Sequence, residues 1–251
     1  ASWPEAIDIA VRGLKAAGSS VGVLTGGRLT LENAYAYSKF ARAVLGTNNV
    51  DFRSRPASSE EADFLAHAVA GRTLGEGVTY ADLESAKHVV LVSFEPEEES
   101  PIVFLRLRKA MRKKGLAVTA IAPYLSNGNA KLNAKLVGTL PGGEARALAG
   151  VKGDADTIVL VGERAATSPG TLSAVLAYAA DTGARFAWVP RRAGDRGAVE
   201  AGCLPDLLPG GRPVSEATAR VDVQAAWGVD SVPASKGMDA EEMLYAAARG
   251  S

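Results

Sequence analysis

The sequence has few of the residues on which metal and redox chemistry depend. It contains one cysteine, Cys203, and two histidines, His67 and His88, among 251 residues. A single cysteine excludes an intrachain disulfide and any zinc or iron–sulfur site that needs several thiolates of this chain. The histidines are far apart and lack the spacing of a metal-binding pair. We therefore expect no catalytic residue and no metal ligand, with Cys203 buried and the histidines packed or on the surface.

An excess of charge and a long apolar run are also missing. Lys plus Arg (28) equals Asp plus Glu (28), so no net field favours nucleic acid or an anionic membrane. No apolar run approaches the roughly 20 residues that span a bilayer, and no signal peptide is visible. These absences predict a cytosolic protein with no nucleic-acid partner and no direct membrane insertion.

Apolar runs alternate with helical patterns along the chain. The predicted strands are "SVGVLTGG" (20–27), "HVVLVSF" (88–94), "LAVTAIAP" (116–123), "DTIVLVGE" (156–163) and "ARFAWVP" (184–190). Continuous apolar strands separated by helices are typical of parallel sheets covered on both faces. The sequence therefore predicts an α/β fold with an open, mostly parallel, doubly wound (Rossmann-like) sheet and helices on both faces.

The repeat of this pattern predicts two units. Residues 1–150 would form a first Rossmann-like unit, and residues 151–251 a second α/β unit. The second carries a Gly- and Pro-rich excursion, 191–221, which is predicted to be irregular and to contact a partner. Its deletion is expected to leave the fold intact. Because the chain starts at Ala1 and closes on a helix with no following strand, we expect a fragment of a longer polypeptide.

Two turns could hold a ligand. The turn Thr25–Gly27 follows a strand and precedes a helix, where α/β folds bind phosphate, but it lacks the G-x-G-x-x-G spacing. The segment 95–101 carries four glutamates at a helix start; they could cap that helix or face a ligand, although they would repel a phosphate. The residues alone do not identify the ligand.

The stretch "LTLENAYAYSKFARAVLGTNNVDFRSR" (29–55) resembles the molybdopterin oxidoreductase family. That family shows Glu-Asn, Lys-Phe, Gly-Thr-Asn-Asn-(Val/Ile)-Asp and Arg in this order. Here these positions are Glu32, Asn33, Lys39, Phe40, Gly46, Thr47, Asn48, Asn49, Val50, Asp51 and Arg55. The turn Glu95–Pro96 and the acids after it resemble the family segment that lies over the guanine dinucleotide end of the cofactor. The resemblance implies a cleft, whose candidate residues are Gly26, Gly27, Asn33, Lys39, Asn48, Asn49 and Glu95.

The sequence departs from the family pattern at two places. Arg55 is followed by "PASSEE" rather than a short turn with cysteine, and Ala122-Pro123-Tyr124 stands where the family has Asp-Pro-Arg. The acids 97–99 would repel a pyrophosphate. The resemblance therefore implies a vestigial cleft with no firm cofactor-binding residue. Asn48 and Asn49 are predicted to form a turn whose amides satisfy local backbone groups.

The stretch "GARFAWVPRRAGDRGAVEAGCLPDLLPGGRPV" (183–214) is similar to the large iron–sulfur subunit, known as the G subunit, of bacterial NADH–quinone oxidoreductases (respiratory complex I). This resemblance implies a non-catalytic scaffold domain that supports electron transfer from NADH to quinone by the parent complex. Its partners would be other subunits of the hydrophilic arm, at the cytoplasmic face of the inner membrane. The fragment would hold no cofactor, and the iron–sulfur clusters of the parent subunit would lie N-terminal to it.

Two other functions compete with this one. The chain could be part of an active molybdenum or tungsten bis-pterin oxidoreductase such as a formate dehydrogenase. Alternatively, it could retain binding of a free nucleotide at Gly26, Gly27, Asn33 and Asn49.

Overall fold

The structure, a computed structural model, describes residues 1–18, 20–72 and 75–250. Its helices are α1 (Trp3–Ala17), α2 (Leu31–Ala43), α3 (Ser59–Phe64), α4 (Tyr80–Ser85), α5 (Pro96–Glu99), α6 (Pro101–Lys114), α7 (Asn127–Lys131), α8 (Glu144–Ala149), α9 (Thr171–Thr182), α10 (Asp195–Glu200), α11 (Ala217–Trp227) and α12 (Ala240–Arg249). The strands are β1 (Val23–Leu24), β2 (Val50–Asp51), β3 (His88–Val92), β4 (Ala117–Ala122), β5 (Lys135–Gly138), β6 (Thr157–Gly162), β7 (Arg185–Val189), β8 (Leu207–Leu208) and β9 (Arg212–Pro213). A π-helical turn, Leu65–Val69, extends α3, and a 3-10 turn, Glu163–Thr167, follows β6.

The chain folds into two compact units. The first unit combines residues 1–55 with 192–251, and the second unit is the continuous stretch 56–191. These limits differ from the division expected at residue 150. The difference arises because β6 and β7, which follow residue 150, join the same sheet as β3, β4 and β5.

The second unit is built on a five-stranded parallel sheet of order β5-β4-β3-β6-β7. Successive residues of β3 point to opposite faces, and all of Val89, Val90, Leu91 and Val92 are buried. Val89 and Leu91 form a core with residues of α6 on one face of the strand, and Val90 and Val92 are buried on the other face. This architecture confirms the predicted α/β fold.

Helix α6 shows how local sequence positions one of these layers. Pro101 starts the helix, three basic residues fill its last turn, and Gly115 closes it in the left-handed conformation. Its buried face carries Val103, Phe104 and Leu107, which pack on the sheet. Complete burial of such a side chain contributes about 1.5–3 kcal/mol.

The first unit contains a much shorter sheet than the sequence predicts. Strand β1 spans only two residues of the predicted strand 20–27 and pairs in parallel with β2. Leu24 is 44 % exposed, so this strand is not buried on both sides. The apolar run marks a strand, but it does not join the main sheet.

The Gly- and Pro-rich segment 191–221, which the sequence predicts to be irregular, contains regular elements between its turns. It contains α10, the antiparallel pair β8–β9 and the start of α11. Its apolar residues Val199, Leu204, Leu207 and Leu208 are completely buried. The segment supplies much of the core of the first unit, because its turns return the chain to the interior.

Membrane-spanning helices are not found in the part of the chain that the structure describes, where each helix is too short or too polar to cross a bilayer.

Candidate functional site

The Asn48–Asn49 pair is bonded to a distant part of the chain. Asn48 donates from Nδ2 to the carbonyls of Pro233 (3.0 Å) and Ser235 (2.8 Å). Asn49 accepts at Oδ1 from the Met238 N–H (2.8 Å) and donates from Nδ2 to the Val21 carbonyl (3.3 Å). The amides therefore tie the turn before β2 to the segment before α12, and not only to local backbone as the sequence suggested.

Arg42 is a structural residue that sequence reasoning missed. Arg42 is 1 % exposed, and its guanidinium donates to Asn48 Oδ1 (2.8 Å), Ser38 Oγ (2.7 Å) and the Leu207 carbonyl (2.8 Å). Burial lowers the pKa of Arg42 to about 10. Arg53 and Asp51 form a buried ion pair in the same stretch, in which Arg53 Nη2 lies 2.7 Å from Asp51 Oδ2. The family-like stretch thus packs into the core of the first unit.

The asparagine pair and the glycine turn lie at opposite ends of β1 and β2. Val23 pairs with Val50 in parallel, so Asn48 and Asn49 precede the amino end of β2, whereas Gly26 and Gly27 follow the carboxyl end of β1. Ligands of open α/β sheets bind at carboxyl ends. The structure therefore does not bring the two predicted elements to one sheet edge.

The glycine turn itself is filled by a carboxylate of the same chain. A Cβ atom added to Gly27 would lie 1.8 Å from Asp195 Oδ1 and 2.8 Å from Arg192 Cδ. The Gly194 N–H also donates to the Gly27 carbonyl (2.9 Å). Asp195 is 1 % exposed, so its carboxylate occupies the space beside the turn where a phosphate would have to approach.

The remaining candidates of the first unit are on α2. Asn33 lies exposed in the first turn, where its N–H is capped by Thr30 Oγ1 (3.3 Å). Lys39 is half-buried and its Nζ lies 6.0 Å from the centre of the Trp227 ring. Cys203 is buried, donates from Sγ to the Ala34 carbonyl (3.3 Å), and has a pKa raised by burial to about 11.

Glu95 belongs to the second unit, at the carboxyl end of β3. There a cavity of about 410 Å³ is lined by the segments at the carboxyl ends of β3, β4, β5, β6 and β7. Ser93 has φ +50°, a left-handed conformation that is uncommon for a non-glycine residue. The Ser126 hydroxyl donates to Glu95 Oε2, and Glu95 N–H donates to Glu99 Oε1 (2.9 Å).

Metal-binding groups are not found where the structure describes the chain: no three His, Cys, Asp or Glu side chains come together in a way that could hold an ion. His67 is exposed, and its Nδ1 lies 2.8 Å from the Asp63 carbonyl. His88 is half-buried, its Nε2 lies 2.9 Å from Thr119 Oγ1, and burial lowers its pKa.

Comparison with known proteins assigns the family. The model of the family "Molybdopterin oxidoreductase" matches residues 1–178, which is more than half of the chain. The chain belongs to the molybdopterin oxidoreductase family. This result confirms the resemblance in the stretch 29–55.

Curated relatives include G subunits of NADH-quinone oxidoreductases and a formate dehydrogenase subunit. The G subunit of the NADH-quinone oxidoreductase of Mycobacterium bovis is 56 % identical over 255 residues, covering 98 % of this chain and 31 % of that protein. Its counterpart in Streptomyces coelicolor is 49 % identical over 278 residues, covering 100 % of this chain and 33 % of the relative. A formate dehydrogenase alpha subunit of Methanococcus maripaludis is 30 % identical over 124 residues, covering 49 % and 18 % respectively. The chain therefore spans about a third of the length of the two NADH-quinone oxidoreductase relatives.

The residues of this molybdopterin oxidoreductase domain do not fit the pyrophosphate-bearing cofactor of the family. The Asp195 carboxylate fills the space beside the glycine turn, and the amides of Asn48 and Asn49 are bonded within the chain. In the second unit, four glutamates line the cavity at the sheet edge. An anionic ligand would meet carboxylates at both places.

Proposed function

We propose that this chain is a non-catalytic scaffold domain within the G subunit of an NADH–quinone oxidoreductase. The observation that carries this proposal is the internal bonding within the family motif, in which Arg42 and the side-chain amides of Asn48 and Asn49 connect chain segments and are therefore already bonded. The high identity to two such subunits over nearly the entire chain supports the choice of parent.

In this proposal, the parent complex passes electrons from NADH through iron–sulfur clusters outside this chain towards quinone. This domain would hold its neighbours in position in the hydrophilic arm, at the cytoplasmic face of the membrane. Its Cys203 thiol is buried, which argues against a ligand role for the only cysteine. The contacts with neighbouring subunits would be made by surfaces of the assembled G subunit.

The experiment is a cofactor inventory of the purified full-length protein. We expect iron and acid-labile sulfide but no molybdenum or tungsten by elemental analysis, and no pterin fluorescence after acid extraction and oxidation. A known bis-pterin enzyme taken through the same extraction is the positive control. Stoichiometric metal together with pterin would refute the scaffold role.

The competing function is a fragment of an active molybdenum or tungsten bis-pterin oxidoreductase. The 30 % identity to a formate dehydrogenase alpha subunit over about half of this chain favours it. The same inventory separates the two functions, because the competitor requires one metal and two pterins per polypeptide.

Residual nucleotide binding at the glycine turn is tested by calorimetry with guanosine diphosphate. We expect no heat of binding, since Asp195 lies beside Gly27 and the Asn49 amide is already bonded. Saturable heat that disappears in Asn49→Ala would restore the nucleotide function.

A further inference from the structure

The cavity of the second unit lies where ligands of open α/β sheets bind. In the order β5-β4-β3-β6-β7, the chain leaves β3 for β4 on one side and later returns to β6 on the other. The carboxyl ends of β3 and β6 therefore form the switch point of the sheet, and the cavity of about 410 Å³ opens there.

The wall of this cavity contains buried acceptor atoms without a donor. Among the described residues, hydrogen-bond partners are missing for Ser93 Oγ, Glu95 Oε1, Glu99 Oε2 and Asn129 Oδ1. Most buried polar atoms in proteins have a partner, so four such atoms around one cavity indicate a site for a donor. Three of the four are pure acceptors, since they belong to carboxylates and an amide oxygen.

Glu99 is the best-defined member of this set. Its side chain is 4 % exposed. Its Oε1 accepts from Arg164 Nη2 (2.6 Å) and from the Glu95 N–H (2.9 Å), which fixes the carboxylate in one orientation. Its Oε2 remains without a donor within the described chain and belongs to the cavity wall.

The charge of the lining selects a cation. The cavity is lined by Glu95, Glu98, Glu99 and Glu144 against only two cations, Arg164 and Arg191, and Arg164 is already paired with Glu99. An anion would be repelled, whereas a cation would gain charge-assisted hydrogen bonds. A bound metal ion is not favoured, because the described residues hold no group of three ligands that could coordinate one.

The remaining lining is apolar. Phe94, Ile121, Pro123 and Pro141 line the cavity, and Tyr124 lines it with a largely exposed ring. Such walls suit a hydrocarbon chain, and an aromatic face attracts a cation.

We infer that this cavity binds a primary ammonium or guanidinium group carried on a short hydrocarbon chain. Ammonium and guanidinium groups offer donors and no acceptor, which matches the unpartnered oxygens. The cation could come from a free aliphatic amine or from a lysine or arginine side chain of a neighbouring protein.

Calorimetry on the intact polypeptide tests the chemistry with four probes. We expect 1,4-diaminobutane and agmatine to bind, and 1,4-butanediol, which has the same length without charge, to bind at least tenfold more weakly. Guanosine diphosphate is expected not to bind this cavity. Equal affinity for the diol, stronger binding of guanosine diphosphate than of the amines, or no binding of either amine at 10 mM would overturn the proposal.

Two neighbouring substitutions locate the binding site. Glu98→Gln removes a charge from an exposed residue that lines the cavity, and we expect amine affinity to fall about threefold or more. Glu97→Gln removes the same charge from a residue outside the lining, which is paired with Lys131 at 2.5 Å, and we expect less than a twofold change. Glu99→Gln should weaken binding at least tenfold. If Glu99→Gln unfolds the protein, the comparison of Glu98→Gln with Glu97→Gln still decides, and equal effects of these two would refute the site.

A second arm distinguishes the two sources of the cation. If diaminobutane binds the isolated polypeptide but no longer binds once the complex is assembled, the cation is assigned to a side chain of a neighbouring protein. Binding in both states would assign it to a free amine. The first arm requires only the polypeptide, so the proposal stands or falls independently of the scaffold function.

Discussion

Replacement of Asn48 by alanine tests whether the asparagine pair is structural. The substitution removes three hydrogen bonds, one from the guanidinium of Arg42 and two to the carbonyls of Pro233 and Ser235. A bond to a charged group contributes about 1.5–3 kcal/mol and a neutral one about 0.5–1.5 kcal/mol. Because Pro233 is half-buried and Ser235 is exposed, water can replace part of the neutral bonds. We therefore expect the free energy of unfolding of the first unit to fall by about 2–4 kcal/mol.

The assay is urea unfolding followed by tryptophan fluorescence. Single-tryptophan variants separate the units, because Trp227 lies in the first and Trp188 in the second. Asn49→Ala, which removes two neutral bonds at a half-buried site, should cost about 1–2 kcal/mol. Asn33→Ala is the matched control, and we expect a change within about 0.5 kcal/mol because this side chain is exposed on α2.

Either of two results would refute the reasoning. If Asn48→Ala unfolded at the same urea concentration as the control, the three bonds would contribute nothing and the amide would be free for a ligand. A loss of stability seen only in the Trp188 signal would likewise contradict a stabilising role of Asn48 in the first unit.

Three further predictions follow from the first unit. Gly27→Ala should lower the free energy of unfolding by about 1–3 kcal/mol, because the added Cβ would meet the Asp195 carboxylate. Adding Asp195→Ala should recover part of this loss. A melting temperature of Gly27→Ala equal to that of the wild type would contradict the close contact between Gly27 and Asp195. Burial raises the pKa of the Cys203 thiol from 9.0 to about 11, so this thiol should resist a disulfide reagent at pH 8 until the protein unfolds. The stability that the protonated thiol contributes should be lost as the pH rises from 9.0 through 11. Immediate labelling of the native protein would contradict the burial of Cys203. Replacing residues 195–208 by a flexible Gly–Ser linker should abolish cooperative unfolding of the first unit, measured by near-ultraviolet circular dichroism, and a retained transition would show that the segment is dispensable after all.

The elements that local signals specify were predictable. Strand β3 is a continuous apolar run, and α6 has a proline at its start and a glycine after its end. Strand β5 was missed because it lies at the sheet edge, where the sequence "KLVG" shows neither a continuous apolar run nor a clear alternation. Edge strands of this kind are buried on few sides, so their sequence carries a weak signal.

The role of the candidate site was predictable only in part. The family motif directed attention to Asn48 and Asn49, but three of their partners lie between residues 233 and 238, where no local pattern predicts a contact. The signal for Arg42 is its position: it is a charged residue that lies four positions after Ser38, on the buried face of α2. The cavity depends on side chains from five strand ends, which only the strand order brings together.

The discontinuity of the first unit has a consequence for synthesis on the ribosome. Its two segments, 1–55 and 192–251, are separated by the 56–191 stretch. Residues 1–55 therefore cannot pack against residues 192–251 until the second unit has been translated. The second unit is continuous and has all its strands by residue 189, so we expect it to fold first. A nascent chain halted before residue 192 would therefore present residues 1–55 as an exposed, incomplete partner for chaperones.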